Sequence, residues 1–279
     1  MTKGLVSIII PTKNSSQYLV RCLEKIKKQN YGNIETIMVD SGNSKDIEKI
    51  TQLSKKYNCK LIIFDPKVKR GLFDATKKRN YVAKRIDGEF IYHVDADMEM
   101  TENVVKEAVK FSRIGFDAVI LTEDSFGEGP WARAKNLERR FFWGDNTIES
   151  PRFFNTKVWR KLGGYDENIA GGGDDRDLYQ KMLNAGYKVA RTKSLVMHNE
   201  GKLTLAFLFR KQFMYKREII KYIKKRPFVS IKSYFPIRKS HITHWKMFIS
   251  RPIDTILFII MKTVESVAGI AGIFYSLIE

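Results

Sequence analysis

The chain has 279 residues, 43% of them hydrophobic, and a formal charge of +19 from 50 lysines and arginines against 31 aspartates and glutamates. That size and apolar content exclude wholesale disorder and allow one large domain with an appendage. The charge favours polyanionic partners, namely nucleic acid, anionic lipid or phosphorylated ligands, without separating them.

The two cysteines, Cys22 and Cys59, form no CxxC pair and no metal-type spacing, and suit core or surface thiols in a reducing compartment. The opening MTKGLVSIII is too short an apolar run for a signal peptide and predicts a first strand, so the catalytic part is expected in the cytoplasm.

From Leu5 to Leu121 strand-type and helix-type segments alternate. LVSIII (5–10), ETIMVD (35–40), KLIIFD (60–65), EFIYHVD (89–95) and DAVIL (117–121) read as strands, with helices over 17–28 and through Tyr57. Short continuous apolar runs between helical patterns predict a mostly parallel sheet covered on both faces, an α/β, Rossmann-like architecture. In such sheets ligands bind beyond the carboxyl ends of the strands, so the clusters Pro11–Asn14, Asp40–Asn43 and Asp95–Asp97 are expected to converge.

Beyond residue 121 the pattern loosens. Glycines gather in GEGP (127–130), LGGY (162–165) and AGGGDD (170–175), marking sharply turning or mobile backbone suited to an acceptor loop or lid. From 201 to 252 many lysines and arginines alternate with Phe, Tyr and Trp, a mixture suited to a membrane interface. An ordinary basic helical subdomain is the plainer alternative, and no nucleic-acid module is readable.

In the apolar tail 253–279, Asp254, Lys262, Glu265, Gly269, Gly272 and Ser276 share one sector of a helix, and Ala268 with Gly272 permits close helix contact. A monotopic or re-entrant helix, a true span, and a helix docked on the domain all remain open.

Three groups carry chemistry. Asp95 and Asp97 flank one small residue after a strand. One carboxylate suits a sugar or ribose hydroxyl and the other a divalent cation; alone, such a pair is equally a turn or helix cap. Asp174, Asp175 and Asp177 open a helix after a glycine loop, with Leu178, Met182 and Leu183 expected inward. They either serve the helix dipole or present Asp175 as a general base, its proton affinity raised by Asp174. His198 closes a short apolar run; at a strand end it suits a metal ligand, though a lone histidine is more often structural.

Taken in order, SIIIPTKN, VDSGNSKD, KKRNYVAKRIDGEFIYHVDADM, KLGGYDENIAGGGDDRDL and VMH resemble family 2 glycosyltransferases of the GT-A fold over about residues 5–200. The resemblance implies an inverting, metal-dependent hexosyl transfer from a nucleotide diphosphate sugar, UDP- or GDP-linked. By position, Pro11, Thr12 and Asn14 would flank the nucleotide, and Asp40 would hold the base or ribose. Arg79 and Asn80 would help hold the nucleotide, and Asp95 and Asp97 match the DxD pair, with Asp97 the better ligand for Mn²⁺ or Mg²⁺. Asp175 matches the catalytic base, and His198 the late histidine that completes the metal site.

Two departures stand out. Ser41 lies where many members carry a second aspartate, and Asp174 replaces a commoner glutamate. The expected organisation is a GT-A domain over 1–203, basic aromatic interface helices over 204–252 and a hydrophobic membrane-associated helix over 253–279. The expected acceptor is a polyprenyl-phosphate-linked glycan or another glycolipid at the cytoplasmic face of an anionic membrane, its phosphates met by Arg210, Lys211, Lys216 and Arg217. No nucleic-acid partner is expected. The rivals are a nucleotidyltransferase, which should show a glycine- and arginine-rich loop where PTKNSS stands, and a non-catalytic adaptor of the same fold, which would need no base.

Overall fold

β1 (Thr2–Thr12) is central because its apolar run has two faces to bury: Val6, Ile8, Ile9 and Ile10 are all fully buried. Alternation sends Val6, Ile8 and Ile10 into one core cluster with Leu19 and Leu23 of helix α1 (Ser16–Lys27). It sends Ile9 into a second cluster with Val82 and Ala83 of α3 (Ala75–Ala83). The computed structural model describes residues 1–68, 74–169, 173–218, 220–228 and 239–278. Residues 170–172 of the AGGGDD run, and 219 and 229–238 of the basic aromatic stretch, lie outside the described residues.

β1 pairs in parallel with β2 (Ile34–Asp40) on one side and β4 (Gly88–His93) on the other, and β2 pairs in parallel with β3 (Lys60–Ile63). The full sheet has eight strands in the order β3-β2-β1-β4-β7-β6-β8-β5. β7 (Phe153–Asn155) runs antiparallel to both β4 and β6 (Ala118–Glu128), so parallel pairing holds for β3-β2-β1-β4 and gives way beyond it. β5 (Met98–Met100) and β7 were not foreseen: three residues are too few to show a period.

The remaining elements are α2 (Ile47–Lys56), α4 (Val104–Arg113), α5 (Gly129–Phe141), α6 (Thr156–Lys161), α7 (Asp174–Asn184), β8 (Val189–Lys202), α8 (Leu205–Glu218) and α9 (Ile220–Lys225). Two short helices, α10 (Lys239–Thr243) and α11 (Lys246–Ser250), precede the long α12 (Pro252–Ile278).

GEGP, expected to be loop, instead ends β6 and starts α5, with Pro130 in the first turn, where its missing N–H costs nothing. LGGY does turn sharply: Gly163 and Gly164 both have positive φ, and a Cβ on Gly164 would sit 2.4 Å from the Trp159 ring. On α7, Leu178 and Met182 are buried as expected, but Leu183 is 44% exposed and Tyr179 takes the inward place.

Contacts divide the chain into two units. The first comprises 1–122, 151–166 and 178–197, and the second 123–150, 167–177 and 198–279. The first holds the parallel half of the sheet and both clusters around β1. The second is built on α5, α8 and α12, with Leu137, Phe141, Phe258 and Met261 at its core. Both cysteines are free, and burial pushes the Cys59 thiol up to about 11.

Candidate functional site

Within the first unit, β2, β1 and β4 are neighbouring parallel strands, so their carboxyl ends open on the same side. The turns after them carry the three predicted polar clusters, and the first two meet. Thr12 Oγ1 donates to Asp40 Oδ2 at 2.9 Å, and Lys45 N donates to Asn14 Oδ1 at 2.7 Å. Asn14 holds a left-handed conformation (φ +50°), tolerable for asparagine. Pro11 lies within β1, opposite Val39.

Asp40 is fully buried. Ser44 Oγ lies within hydrogen-bond distance of both carboxylate oxygens, at 2.9 and 2.7 Å, and Gly42 N donates to Oδ1 at 2.8 Å. Its carboxylate therefore shapes the DSGNS turn. Ser41, the departure from the family pattern, donates to Asp74 Oδ2 at 3.1 Å. Asp74 is in turn paired with the fully buried Lys78 at 2.8 Å, and Lys78 Nζ also donates to Thr12 O at 2.8 Å. A carboxylate thus stands beside Ser41 after all, supplied by the start of α3.

The lysine–arginine–asparagine run of α3 splits three ways. Lys78 ties down β1. Arg79 donates to Asp95 Oδ1. Asn80 is 1% exposed and brackets the LGGY turn, with Nδ2 donating to Tyr165 O at 2.8 Å and Tyr165 N donating to Oδ1 at 3.1 Å. Asn80, expected to help hold the nucleotide, thus has its amide engaged with the Tyr165 backbone.

Asp95 sits between two cations. Besides Arg79, Arg152 Nη1 lies 3.2 Å from its Oδ2. Arg152 was not singled out in the sequence: it stands alone just before β7 and carries no periodic signal. Asp97 follows in the turn between β4 and β5, half-buried. Beneath them His93 is fully buried against Phe154, Trp159 and Tyr165. Its pKa is driven well below the usual value, first by burial and then by Arg79 and Arg152, so it floors the site as a neutral ring.

Within the second unit, Asp174 and Asp175 open α7, whose first-turn acids suit the positive end of the helix dipole. Arg176 N donates to Asp175 Oδ1 at 2.7 Å, and Asp175 is half-buried. Asp177 is fully buried between Lys225 and Arg226, each at 2.9 Å, which gives it a structural place. Gly173 is required for packing: a Cβ there would lie 2.9 Å from Tyr222 of α9.

His198 lies inside β8 and not at its end, because the strand continues to Lys202. Its Nδ1 is 3.0 Å from Arg139 Nη2 and 4.0 Å from Glu123, and Arg139 also binds Glu123 and Glu200. Among the described residues no three His, Cys, Asp or Glu side chains form a metal-holding group. Arg210 and Lys211 are exposed. Lys216 lays its stem against Gly269 and Arg217 lies over the Tyr275 ring.

Parallel strand ends bearing this acid and arginine set define a GT-A-type α/β protein. Residues 7–224 match the family described as glycosyl transferase family 2, and the chain belongs to that family. It is 34% identical over 102 residues to glycosyltransferase GlyG of Streptococcus pneumoniae, covering 37% of this chain and 33% of that protein. It is 29% identical over 107 residues to the poly(ribitol-phosphate) beta-N-acetylglucosaminyltransferase TarS of Staphylococcus aureus, covering 38% of this chain and 18% of TarS. The matches thus span a third or less of these relatives' length.

In fold, the chain is similar to mannosyltransferase PcManGT from Pyrobaculum calidifontis in complex with GDP-Man and Mn²⁺. The TM-score is 0.62 at 17% identity, covering 95% of this chain and 86% of that one. It is also similar to TarS 1-349 in complex with UDP-GlcNAc, with a TM-score of 0.54 at 17% identity, covering 92% and 79%. Membership in the glycosyltransferase family decides against the nucleotidyltransferase rival.

Proposed function

We propose that this chain is an inverting hexosyltransferase. It would move a sugar from a UDP- or GDP-sugar to a membrane-associated acceptor, a polyprenyl-phosphate-linked glycan or another glycolipid. The observation that carries this reading is Asp95 held between Arg79 and Arg152, with Asp97 beside it, at the carboxyl ends of parallel strands.

Two planar guanidiniums suit a diphosphate, which each can grip with paired N–H groups. Asp95 holds both in place and accepts from the donor's hydroxyls. Thr12, Asp40 and Asn80 act one step back, fixing the turns, while Pro11 and the exposed Asn14 border the nucleotide.

Asp97 fits a hard divalent cation, since Mg²⁺-type sites commonly use one or two carboxylates plus substrate phosphates. Complexes of fold neighbours with GDP-Man and Mn²⁺ and with UDP-GlcNAc support a nucleotide sugar and a divalent metal. His198 enters the proposal only through Nε2, because Nδ1 faces Arg139. The cation, when bound, offsets charge on the departing nucleoside diphosphate.

Asp175 takes the proton from the acceptor hydroxyl as its oxygen attacks the anomeric carbon. The bond to the diphosphate breaks on the opposite face, and a single displacement inverts the configuration. No covalent nucleophile is needed. Burial of the donor would exclude water, which limits its hydrolysis.

Thermal shifts with UDP, GDP, CDP and dTDP, each with and without Mn²⁺, test the donor site. One nucleotide at about a hundred times its Kd should stabilise the protein by roughly 2.7 kcal/mol, and more with metal. No shift with any of the four would remove the donor reading and restore the non-catalytic adaptor.

A further inference from the structure

Among the described residues, all but four of the large apolar side chains that face solvent lie in the second unit. Most of them are on α12, and that helix is inside out for a soluble protein. Its polar sector is turned inward: Asp254, Glu265, Gly269 and Gly272 are buried. Its outward face presents Ile256, Ile260, Val267, Ile270, Phe274 and Leu277, each at least 42% exposed. The spacings of three, four and seven residues make them one continuous stripe.

The inward face is locked by charge. Asp254 pairs with Arg133 at 2.6 Å and Arg251 at 2.8 Å. Glu265 pairs with Lys135 at 3.1 Å and Lys262 at 2.7 Å, and both lysines also hold Glu138 of α5. A Cβ on Gly272 would come within 2.5 Å of Phe213 O, so α8 and α12 touch backbone to backbone there.

These contacts decide how the helix can meet lipid. At about 1.5 Å per residue α12 is long enough to cross a bilayer. Crossing would carry its ion pairs, and the α5 charges that satisfy them, into hydrocarbon. α5 and α8 have only 13 and 14 residues, too few to line a span of about 30 Å. The same unit exposes Arg210, Lys211, Lys224 and Lys246, together with Trp245. Those cations and that indole complement an anionic headgroup layer.

We propose that α12 lies in the plane of an anionic membrane surface, with the Ile256–Leu277 stripe sunk into one leaflet and its charged face kept on α5 and α8. The proposal deepens, and rests on, the reading of a membrane-associated acceptor, since it would hold the enzyme where a lipid-linked substrate presents its headgroup.

The test uses the full chain carrying Cys59→Ser; Cys22 is fully buried. Single cysteines at Ile256→Cys, Thr263→Cys and Phe274→Cys, all on the outward stripe, are labelled with an environment-sensitive dye. Shallow and deep lipid quenchers then report depth in phosphatidylcholine vesicles containing about 30% phosphatidylglycerol. Equal, shallow depths at the three sites, with binding lost in pure phosphatidylcholine, are expected. The double variant Ile260→Ser/Ile270→Ser should float at least about tenfold less well.

A mid-helix site deeper than both ends would show a span and overturn the proposal. So would failure to float, whether the protein sediments as a monomer or as a dimer; a dimer would mean that a second copy covers the stripe. Nucleotide-induced thermal shifts on the same samples report the donor site separately, so loss of the membrane reading and loss of the glycosyltransferase reading are told apart.

Discussion

Asp95 shows how far a single carboxylate depends on its neighbours. Arg79 and Arg152 lie on its two oxygens, and in the proposed mechanism it positions these two guanidiniums toward the diphosphate. Replacing Arg152 with methionine keeps the stem and removes the charge. Loss of one charged hydrogen bond, about 1.5–3 kcal/mol, should weaken nucleotide diphosphate binding roughly tenfold to a hundredfold. Calorimetric titration checks this, and unchanged affinity would place Arg152 outside the site.

Asp175 has the other kind of role in the proposed mechanism, that of moving a proton. Asp175→Asn keeps the shape and the hydrogen-bond acceptor of the carboxamide but not the base. Transfer should fall by about a hundredfold to ten-thousandfold while the nucleotide-induced thermal shift survives. A lost shift in a folded variant would assign Asp175 to donor binding instead.

The acids were legible at this scale because each directly follows a strand or opens a helix. Arg152 and Asp74 were not, because neither follows a motif and their partners Asp95 and Ser41 lie far away in the chain. Asp74 also explains how Ser41 is tolerated: the missing carboxylate is returned from α3.

Among the elements, α5 and α12 are joined by the most demanding contact. Glu138 is 3% exposed and is shared by Lys135 and Lys262. Burial raises its pKa, but the two lysines outweigh that and hold its carboxyl well below the usual 4.5. A depressed folded value means that the stabilisation is fully present above about 4.5 and is lost as pH falls below it. Glu138→Gln leaves the half-buried Lys135 and Lys262 short of a partner and should cost about 1–3 kcal/mol by urea denaturation at neutral pH. That deficit should shrink in the acid range; a deficit that stays constant from pH 7 to pH 3 would mean that the pairing contributes little.

Gly272→Leu should separate α8 from α12, since even a Cβ meets backbone there, and should lower Tm by several degrees, about the effect of 1–3 kcal/mol of overpacking. A scan with unchanged Tm would show that the crossing yields without cost. The small-residue spacing of Ala268 and Gly272 announced this close approach in advance. β5, β7 and the length of β8 were not announced: their pairing is a property of the sheet, and three-residue strands leave no local period.

On the scale of the whole molecule, several buried or half-buried carboxylates among the described residues are matched by lysines and arginines. Asp74, Asp95 and Asp177 each have a cation from the chain itself. Removing divalent metal with EDTA should therefore abolish transfer on the proposed mechanism yet leave Tm without nucleotide unchanged. A fall in Tm would reveal a structural cation.

Continuous apolar runs such as SIIIPT and EFIYHVD were enough to determine a parallel α/β core with acids at its strand ends. A strand buried on both faces must be apolar throughout, and whatever follows it must lie at the sheet's edge. The sequence also revealed that α12 has a polar and an apolar side. Only the tertiary structure decided that the polar side faces the protein, because a helical period tells which residues share a face and not what covers it. The cover is set by Arg133, Lys135 and Glu138 on α5, far away in the chain, and their charges turn the apolar side outward.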